Sequence, residues 1–436
     1  MSVVVTGMGI FSSIAPNITD FLAALKSGRT NFSTQTVVYG SEHMQVVGSF
    51  LQDFDFKEQL SSRESIPAAL KEKAFNVGRR APTAIQASIL SAMDAWLQAG
   101  LSEHVAEADR VSVVVAGNNL TNDYIAQLHQ TYEDSPEYLP PRFILHSMDT
   151  DQVGTLSEVF SIRGEGLTTG GASASGNVAL IKAFQLIRSG ESDVALVVGP
   201  VSELSPMLFQ GFEKIAALGG TGGIGNPALA CRPFDSGHEG FIPGQSSACL
   251  ILESQQSAQA RGIPPLATML MGKICLDANR QANPSMEGQI RVMKETLRWA
   301  GIDARKVNYI NAHGTSTPLG DKTELCSIKA IFGSGDESPW INSTKGVTGH
   351  CLYSAGVVEA ISTILQMQNG FIHPNLNLVN PVDGDCMLAG PQSEPAQIHY
   401  SLSNSFGFGG INTSVIFAGP EVNGTLSSTL GKGIGR

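Results

Sequence analysis

A serine, two histidines and a lysine are the residues of this chain whose settings suit them to chemistry. Ser173 sits in Gly170-Gly171-Ala172-Ser173-Ala174-Ser175-Gly176-Asn177, at the start of a helix-like stretch. His313 lies in Asn311-Ala312-His313-Gly314-Thr315-Ser316-Thr317, just after a strand-like run. His350 closes Ser343-Thr344-Lys345-Gly346-Val347-Thr348-Gly349-His350, ahead of an apolar helix. Both histidines fall at strand-to-helix turns, where α/β proteins place ligands. A helix N-terminus and nearby Lys345 disfavour an imidazolium at His350, which leaves a neutral ring able to donate one N–H. Taken singly, each histidine reads first as a packing residue. His43, His104, His129, His146, His238, His373 and His399 have no comparable context and read as surface or packing residues. No HxxxH or HxH spacing supports a metal site.

Asn404-Ser405-Phe406-Gly407-Phe408-Gly409-Gly410-Ile411-Asn412 is a turn in which glycines flank Phe408. They let backbone approach closely and leave the ring as a movable wall. Two motif matches fail. Gly220-Thr221-Gly222-Gly223-Ile224-Gly225 fits G-x-G-x-x-G but follows a helical segment and runs into Asn226-Pro227, so the dinucleotide context is missing. A G-x-S-x-G elbow at Ser173 needs Gly where Ser175 stands.

The elements that must position these residues alternate between strands and amphipathic helices, which argues an α/β protein. Strands are expected at Ser2–Thr6, Arg110–Ala116, Asp193–Val198, Ser247–Leu252, Val307–Ile310 and Thr413–Phe417. Helices are expected at Ala84–Ala99, Gly176–Arg188, Met286–Ala300 and Val357–Gln368. The helix after Ser173 has almost no polar face and should be buried. A soft change in composition near Glu253–Gly262 divides the chain into an N-terminal half, 1–254, and a C-terminal half, 255–417. The tail, 418–436, is rich in Gly, Ser and Thr and is expected to be flexible.

The chain is 42% hydrophobic and 15% charged, enough for a large core. No apolar run approaches the roughly 18–20 residues of a membrane span. The first residues read as a strand and not as a signal peptide. The six cysteines are scattered without a CxxC, which fits a reduced, cytoplasmic setting. A net charge of −11 argues against nucleic-acid or anionic-membrane binding.

Taken together, Ala172-Ser173, His313-Gly314-Thr315, Lys345 with Gly349-His350, and Asn404 to Gly410 occur in the order and spacing of the β-ketoacyl synthases, the condensing enzymes. Cys231-Arg232-Pro233-Phe234-Asp235 and the opening Val5-Thr6-Gly7-Met8-Gly9 fit as well. The resemblance runs from about Val3 to Phe417. It implies a thiolase-like fold, with two related halves in a five-layered α/β/α/β/α core, and a homodimer. It implies that His313 and His350 donate to a thioester carbonyl and that Lys345, paired with Glu359, orients His350 and local water. Phe408 becomes the gating ring, and the N–H groups of Ser173 and Phe408 the oxyanion hole. No cofactor of its own is implied. The substrate arrives on the phosphopantetheine arm of an acyl carrier protein, and Lys71, Lys73, Arg79 and Arg80 form the densest basic stretch for docking that acidic partner.

The chain departs from the family at its nucleophile: Ser173 stands where a cysteine is usual. A thiol is readily pushed to thiolate, whereas a serine hydroxyl needs a dedicated base. Gln245 replaces a usual Glu, His238-Glu239-Gly240 replaces Arg-Asp-Gly, and Tyr353 is bulky where a small residue is usual. The intact histidines with a lost thiol resemble the decarboxylating, non-elongating synthases of polyketide β-branching cassettes. Malonyl-carrier decarboxylation to acetyl carrier is therefore the expected activity. Two alternatives stay open: a non-catalytic partner of the chain-length-factor type, and a condensing enzyme or acyltransferase using Ser173 as a slow nucleophile.

Overall fold

A computed structural model describes residues 1–39, 41–104, 106–280 and 282–422. Its main sheet has ten strands: β1 Val3–Ser12, β2 Val111–Ala116, β3 Gly166–Thr169, β4 Val194–Gly199, β5 Ser246–Ser254, β6 Ala267–Leu276, β7 Tyr309–Asn311, β8 Trp340–Asn342, β9 Tyr400–Gly407 and β10 Ile411–Ala418. The order across it is β8-β7-β9-β10-β6-β1-β5-β4-β2-β3. The first five strands and the last five therefore follow one plan. In each set the second strand lies parallel between the third and fourth, and the fourth, fifth and first are joined antiparallel. The sets meet edge to edge where β1 pairs with β6 over Val3–Met269, Val4–Thr268 and Val5–Ala267.

Five helices complete the layers: α1 Thr83–Gln98, α2 Ser175–Ser189, α3 Met286–Ala300, α4 Pro318–Phe332 and α5 Ala355–Asn369. α2 and α5 pack on each other and each touches strands of both halves, so they form the central layer. α1 covers the outer face of the first half, and α3 and α4 cover that of the second. The result is the thiolase-like α/β/α/β/α arrangement. The central layer is buried over most of its surface, as expected for the helix after Ser173, which exposes only Gln185, Arg188 and Ser189. Val357, Val358, Ile361 and Ile364 of α5 are all buried, and each contributes roughly 1.5–3 kcal/mol by leaving water.

All six expected strands and all four expected helices are present, Met286–Ala300 with the expected ends and the others with shifted ones. β1 continues past the expected end at Thr6, through Gly7-Met8-Gly9 to Ser12. Those glycines are there for α1: a Cβ at Gly7 would lie 2.2 Å from the Ala95 carbonyl oxygen, and one at Gly9 1.9 Å from that of Ser91. The Gly220–Gly225 segment is a series of turns, not a strand-to-helix loop. Of the tail, Ala418 ends β10 and Pro420–Val422 form a short 3-10 turn. The remainder, 423–436, lies outside the described residues.

Candidate active site

The site forms where the two halves meet. Ala172–Ala174 make a 3-10 turn that leads into α2, and Leu352–Ser354 make the matching turn into α5. Ala172 and Leu352 both adopt left-handed backbone, with φ of 48° and 50°. Such a kink in a non-glycine residue is uncommon and clusters at functional sites. The two helices cross so closely that a Cβ on Gly176 would lie 2.7 Å from the Gly356 N, and one on Gly356 2.5 Å from the Asn177 N. The hairpin between β9 and β10 closes over the first turn. Gly407 must lack a side chain because its Cβ would lie 2.3 Å from the Gly171 oxygen. Phe408 follows on the loop, 42% exposed, with Gly409 and Gly410 at φ of 90° and 73° completing the reversal.

His350 is held at both ends. Its N–H donates to the Ile242 oxygen at 2.6 Å, and its carbonyl accepts from Gly244 N at 3.0 Å. Its Nδ1 accepts from the Leu352 N–H at 3.1 Å, and its Nε2 lies 3.0 Å from the Ser173 Oγ. A ring nitrogen that accepts from a backbone amide carries no proton, so the proton of the neutral ring is on Nε2. Burial, and then the Lys345 ammonium, hold its pKa well below the ordinary histidine value. His350 therefore donates toward Ser173.

His313 reaches the same cavity from the loop after β7. Its ring stands edge-on to His350, with centroids 5.6 Å apart, and packs on Phe406. Lys345 Nζ donates to the His313 carbonyl at 2.6 Å and faces its Nδ1 at 3.4 Å. An ammonium has only protons to offer, so Nδ1 is the acceptor and Nε2–H again faces the cavity. Burial, Lys345 and His350, in that order, keep this ring neutral too. The expectation that Lys345 orients His350 is corrected here: Lys345 positions His313, and the Leu352 amide positions His350. Lys345 also forms a very short, fully buried ion pair with Glu359, whose other oxygen accepts from Ser405 Oγ at 3.2 Å.

Two supporting carboxylates were not found by sequence reasoning. Glu324 accepts from the N–H groups of His313 and Gly314, both at 2.8 Å, and fixes the loop that carries the imidazole. Burial pushes it up to about 7 despite those donors. Asp321, one turn earlier on α4, accepts from Phe234 N and Ser316 N and pairs with His238 at 3.0 Å. Among the departures noted above, Gln245 accepts from Leu51 N–H at 2.8 Å. His238 is buried beside Asp321, and Tyr353 enters the site itself.

The cavity has a volume of about 430 Å³. Ser173, His313, His350, Phe408 and Tyr353 line it, with Phe241 and Leu319 among the apolar neighbours. Lys345 lies behind His313 and does not line it. Lys71 and Lys73 sit on a helix over Ala68–Gly78; their ammonium groups donate to Arg63 O and Ser161 Oγ, and Arg79 and Arg80 are exposed. Among the described residues no group of His, Cys, Asp or Glu is placed to hold a metal, and no helix is long and apolar enough to cross a membrane.

Duplicated halves around a Ser–His–His cavity define a condensing-enzyme-type protein of the thiolase fold. Residues 1–258 match the family described as "Beta-ketoacyl synthase, N-terminal domain", and residues 272–379 match "Beta-ketoacyl synthase, C-terminal domain". The chain belongs to the β-ketoacyl synthase family. It is 35% identical over 413 residues to "Polyketide biosynthesis malonyl-ACP decarboxylase PksF" of Bacillus subtilis (strain 168), covering 95% of each chain. It is 30% identical over 421 residues to "3-oxoacyl-[acyl-carrier-protein] synthase 2" of Staphylococcus aureus (strain COL), covering 95% of this chain and 97% of that one. A β-ketoacyl synthase structure from Burkholderia phymatum STM815 superposes with a TM-score of 0.84 at 27% identity, covering 96% of this chain and 99% of that one.

Proposed function

We propose that this protein decarboxylates a malonyl group held as a thioester on the phosphopantetheine arm of an acyl carrier protein, giving acetyl carrier without chain elongation. The observation that carries this reading is the direction of the His350–Ser173 contact. With His350 Nδ1 bound to the Leu352 amide, its Nε2 gives a proton to a hydrogen bond and has no lone pair to take one from Ser173. His313 is turned the same way by Lys345. The site thus holds two N–H donors and a hydroxyl with no base beside it.

Such a site suits the half of a condensation that needs no nucleophile. The malonyl C–C bond breaks, CO₂ leaves, and the electron pair moves onto the thioester oxygen as an enolate. Two fixed donors, His313 and His350, stabilise that charge in a dry cavity. Phe408 presses on the carboxylate side, where an apolar wall favours loss of neutral CO₂. Carbon 2 then takes a proton from water, giving the acetyl thioester. In this reading the Ser173 and Phe408 amides lie at the thioester oxygen, and Ser173 Oγ keeps the site polar without forming an ester. The resemblance to a relative named as a malonyl-ACP decarboxylase in polyketide biosynthesis supports the choice, and the same reading takes the reaction as a step of polyketide β-branching.

The carrier arm supplies the only cofactor chemistry required, and Arg79 and Arg80 are the proposed docking cations. The same reading takes the molecule as a homodimer in the cytoplasm. β3 is the terminal strand of the sheet, and Tyr138, Ile144, Leu145 and Met148 nearby in sequence are exposed. The test is incubation with malonyl-loaded carrier protein alone. Stoichiometric CO₂ and acetyl carrier, with no elongated product when an acyl carrier is added, supports the proposal. A requirement for a second synthase subunit refutes it in favour of a non-catalytic partner.

A further inference from the structure

The matching of the two halves pairs Ser173 with Tyr353. Each is the middle residue of a 3-10 turn, Ala172–Ala174 and Leu352–Ser354. Each follows a residue in left-handed backbone, and each stands three positions before the glycine at which α2 and α5 cross. The two turns pack against one another, and both side chains line the one cavity. One of the pair is among the smallest polar side chains and the other among the largest. The Tyr353 side chain is packed onto Gly117, at the end of β2. A Cβ at Gly117 would lie 3.0 Å from both Cβ and Cγ of Tyr353. Beside it, Asn118 fits over Gly170, where a Cβ would lie 2.7 Å from the Asn118 side-chain oxygen. Gly117 and Gly170 themselves follow the paired ends of β2 and β3. The space beyond Ser173, between its turn and the end of β2, is therefore filled by an aromatic ring.

We propose that Tyr353 is the specificity-determining wall of the site, limiting the acyl group beyond the thioester carbon to the size of malonyl or acetyl. This rests on the reading of the cavity as a carrier-thioester site, but not on decarboxylation. The tyrosine excludes longer chains by volume. Its hydroxyl is not required, so Phe serves as well as Tyr and Gly does not.

The experiment uses Ser173→Cys to give the site a reporter thiol, combined with Tyr353, Tyr353→Phe or Tyr353→Gly. Each full-length variant is incubated with acetyl- and hexanoyl-pantetheine, and acyl-enzyme is counted by intact mass. With the pantetheine arm in the entrance, the acyl chain must point inward. Tyr353 and Phe are expected to take acetyl and to refuse hexanoyl by at least about 20-fold, and Gly to take both alike. Equal loading of hexanoyl with Tyr353 in place overturns the proposal. So does a Gly variant that loads acetyl but still refuses hexanoyl. If the thiol takes neither acyl group, the outcome is read with Ser173 intact, from CO₂ release on malonyl- and butylmalonyl-pantetheine. Wild type accepting both alike overturns the wall, and acceptance of butylmalonyl only after Tyr353→Gly supports it. Failure of malonyl decarboxylation by the wild type counts against the proposed function and leaves the acyl-loading result standing by itself.

Discussion

His350 gives a hydrogen bond to Ser173 and does not take one. The 3.0 Å contact between His350 Nε2 and Ser173 Oγ resembles a nucleophile–base pair by distance alone. The Leu352 amide on Nδ1 reverses its sense: the proton sits on the nitrogen that faces the serine. An imidazole in that tautomer stabilises an oxyanion and cannot activate a hydroxyl.

Loss of either donor should therefore be felt in the chemical step. His313→Ala and His350→Ala are each expected to lower kcat for CO₂ release about 10²–10³-fold. Carrier binding should change little, because both rings line the cavity and not an outer docking face. The check is steady-state CO₂ release at varied malonyl-carrier concentration. Retention of wild-type kcat in both variants contradicts the assignment.

The two rings should stay neutral where ordinary histidines become charged. Burial and the Lys345 ammonium both penalise the imidazolium, so the folded-state pKa values lie well below the ordinary histidine value of 6.5. In the unfolded chain the same rings take up protons near that value. Their contribution to stability is thus present above pH 6.5 and declines as the pH falls below it, toward the folded pKa values. Histidine ring resonances followed by NMR should show His313 and His350 unprotonated at pH 6. A midpoint near 6.5 for either ring contradicts the account.

Lys345 and Glu359 form a fully buried ion pair, with side chains each 2% exposed. Lys345→Met or Glu359→Gln leaves an uncompensated partner and is expected to cost about 3–5 kcal/mol of unfolding free energy. The double variant is expected to be less destabilised than the two single changes added together. Denaturant unfolding of the four proteins gives the coupling directly, and strict additivity rules out the pair. The Lys345 change should also release the His313 tautomer and reduce kcat.

The parts of the site that were legible in the sequence are those held in short contiguous segments. Ser173, His313, His350 and the Phe408 loop each carry their own glycines and turn residues, so type and spacing suffice. The family resemblance assigns Lys345 to His350, five positions on in sequence. Its ammonium instead crosses to the loop after β7, a tertiary contact that spacing cannot report. Asp321 and Glu324 have no motif around them, and charged residues on a helix such as α4 normally face solvent. Their placement on the stripe shared with Leu325 and Ile328, all buried, was the available signal, since positions three and four apart share a face. The duplication is suggested in the sequence by a soft change in composition and by the family resemblance. The halves repeat strand order, and no short tandem repeat of 20–50 residues announces that in the sequence.

The most direct test of the central claim is the intact mass of the enzyme while it turns over malonyl carrier protein. The account predicts that the carrier loses the mass of CO₂ while the enzyme stays unmodified at every time point, with Ser173 free of ester. A malonyl or acetyl ester on Ser173 that forms and decays at the turnover rate contradicts it, and makes the serine a nucleophile after all.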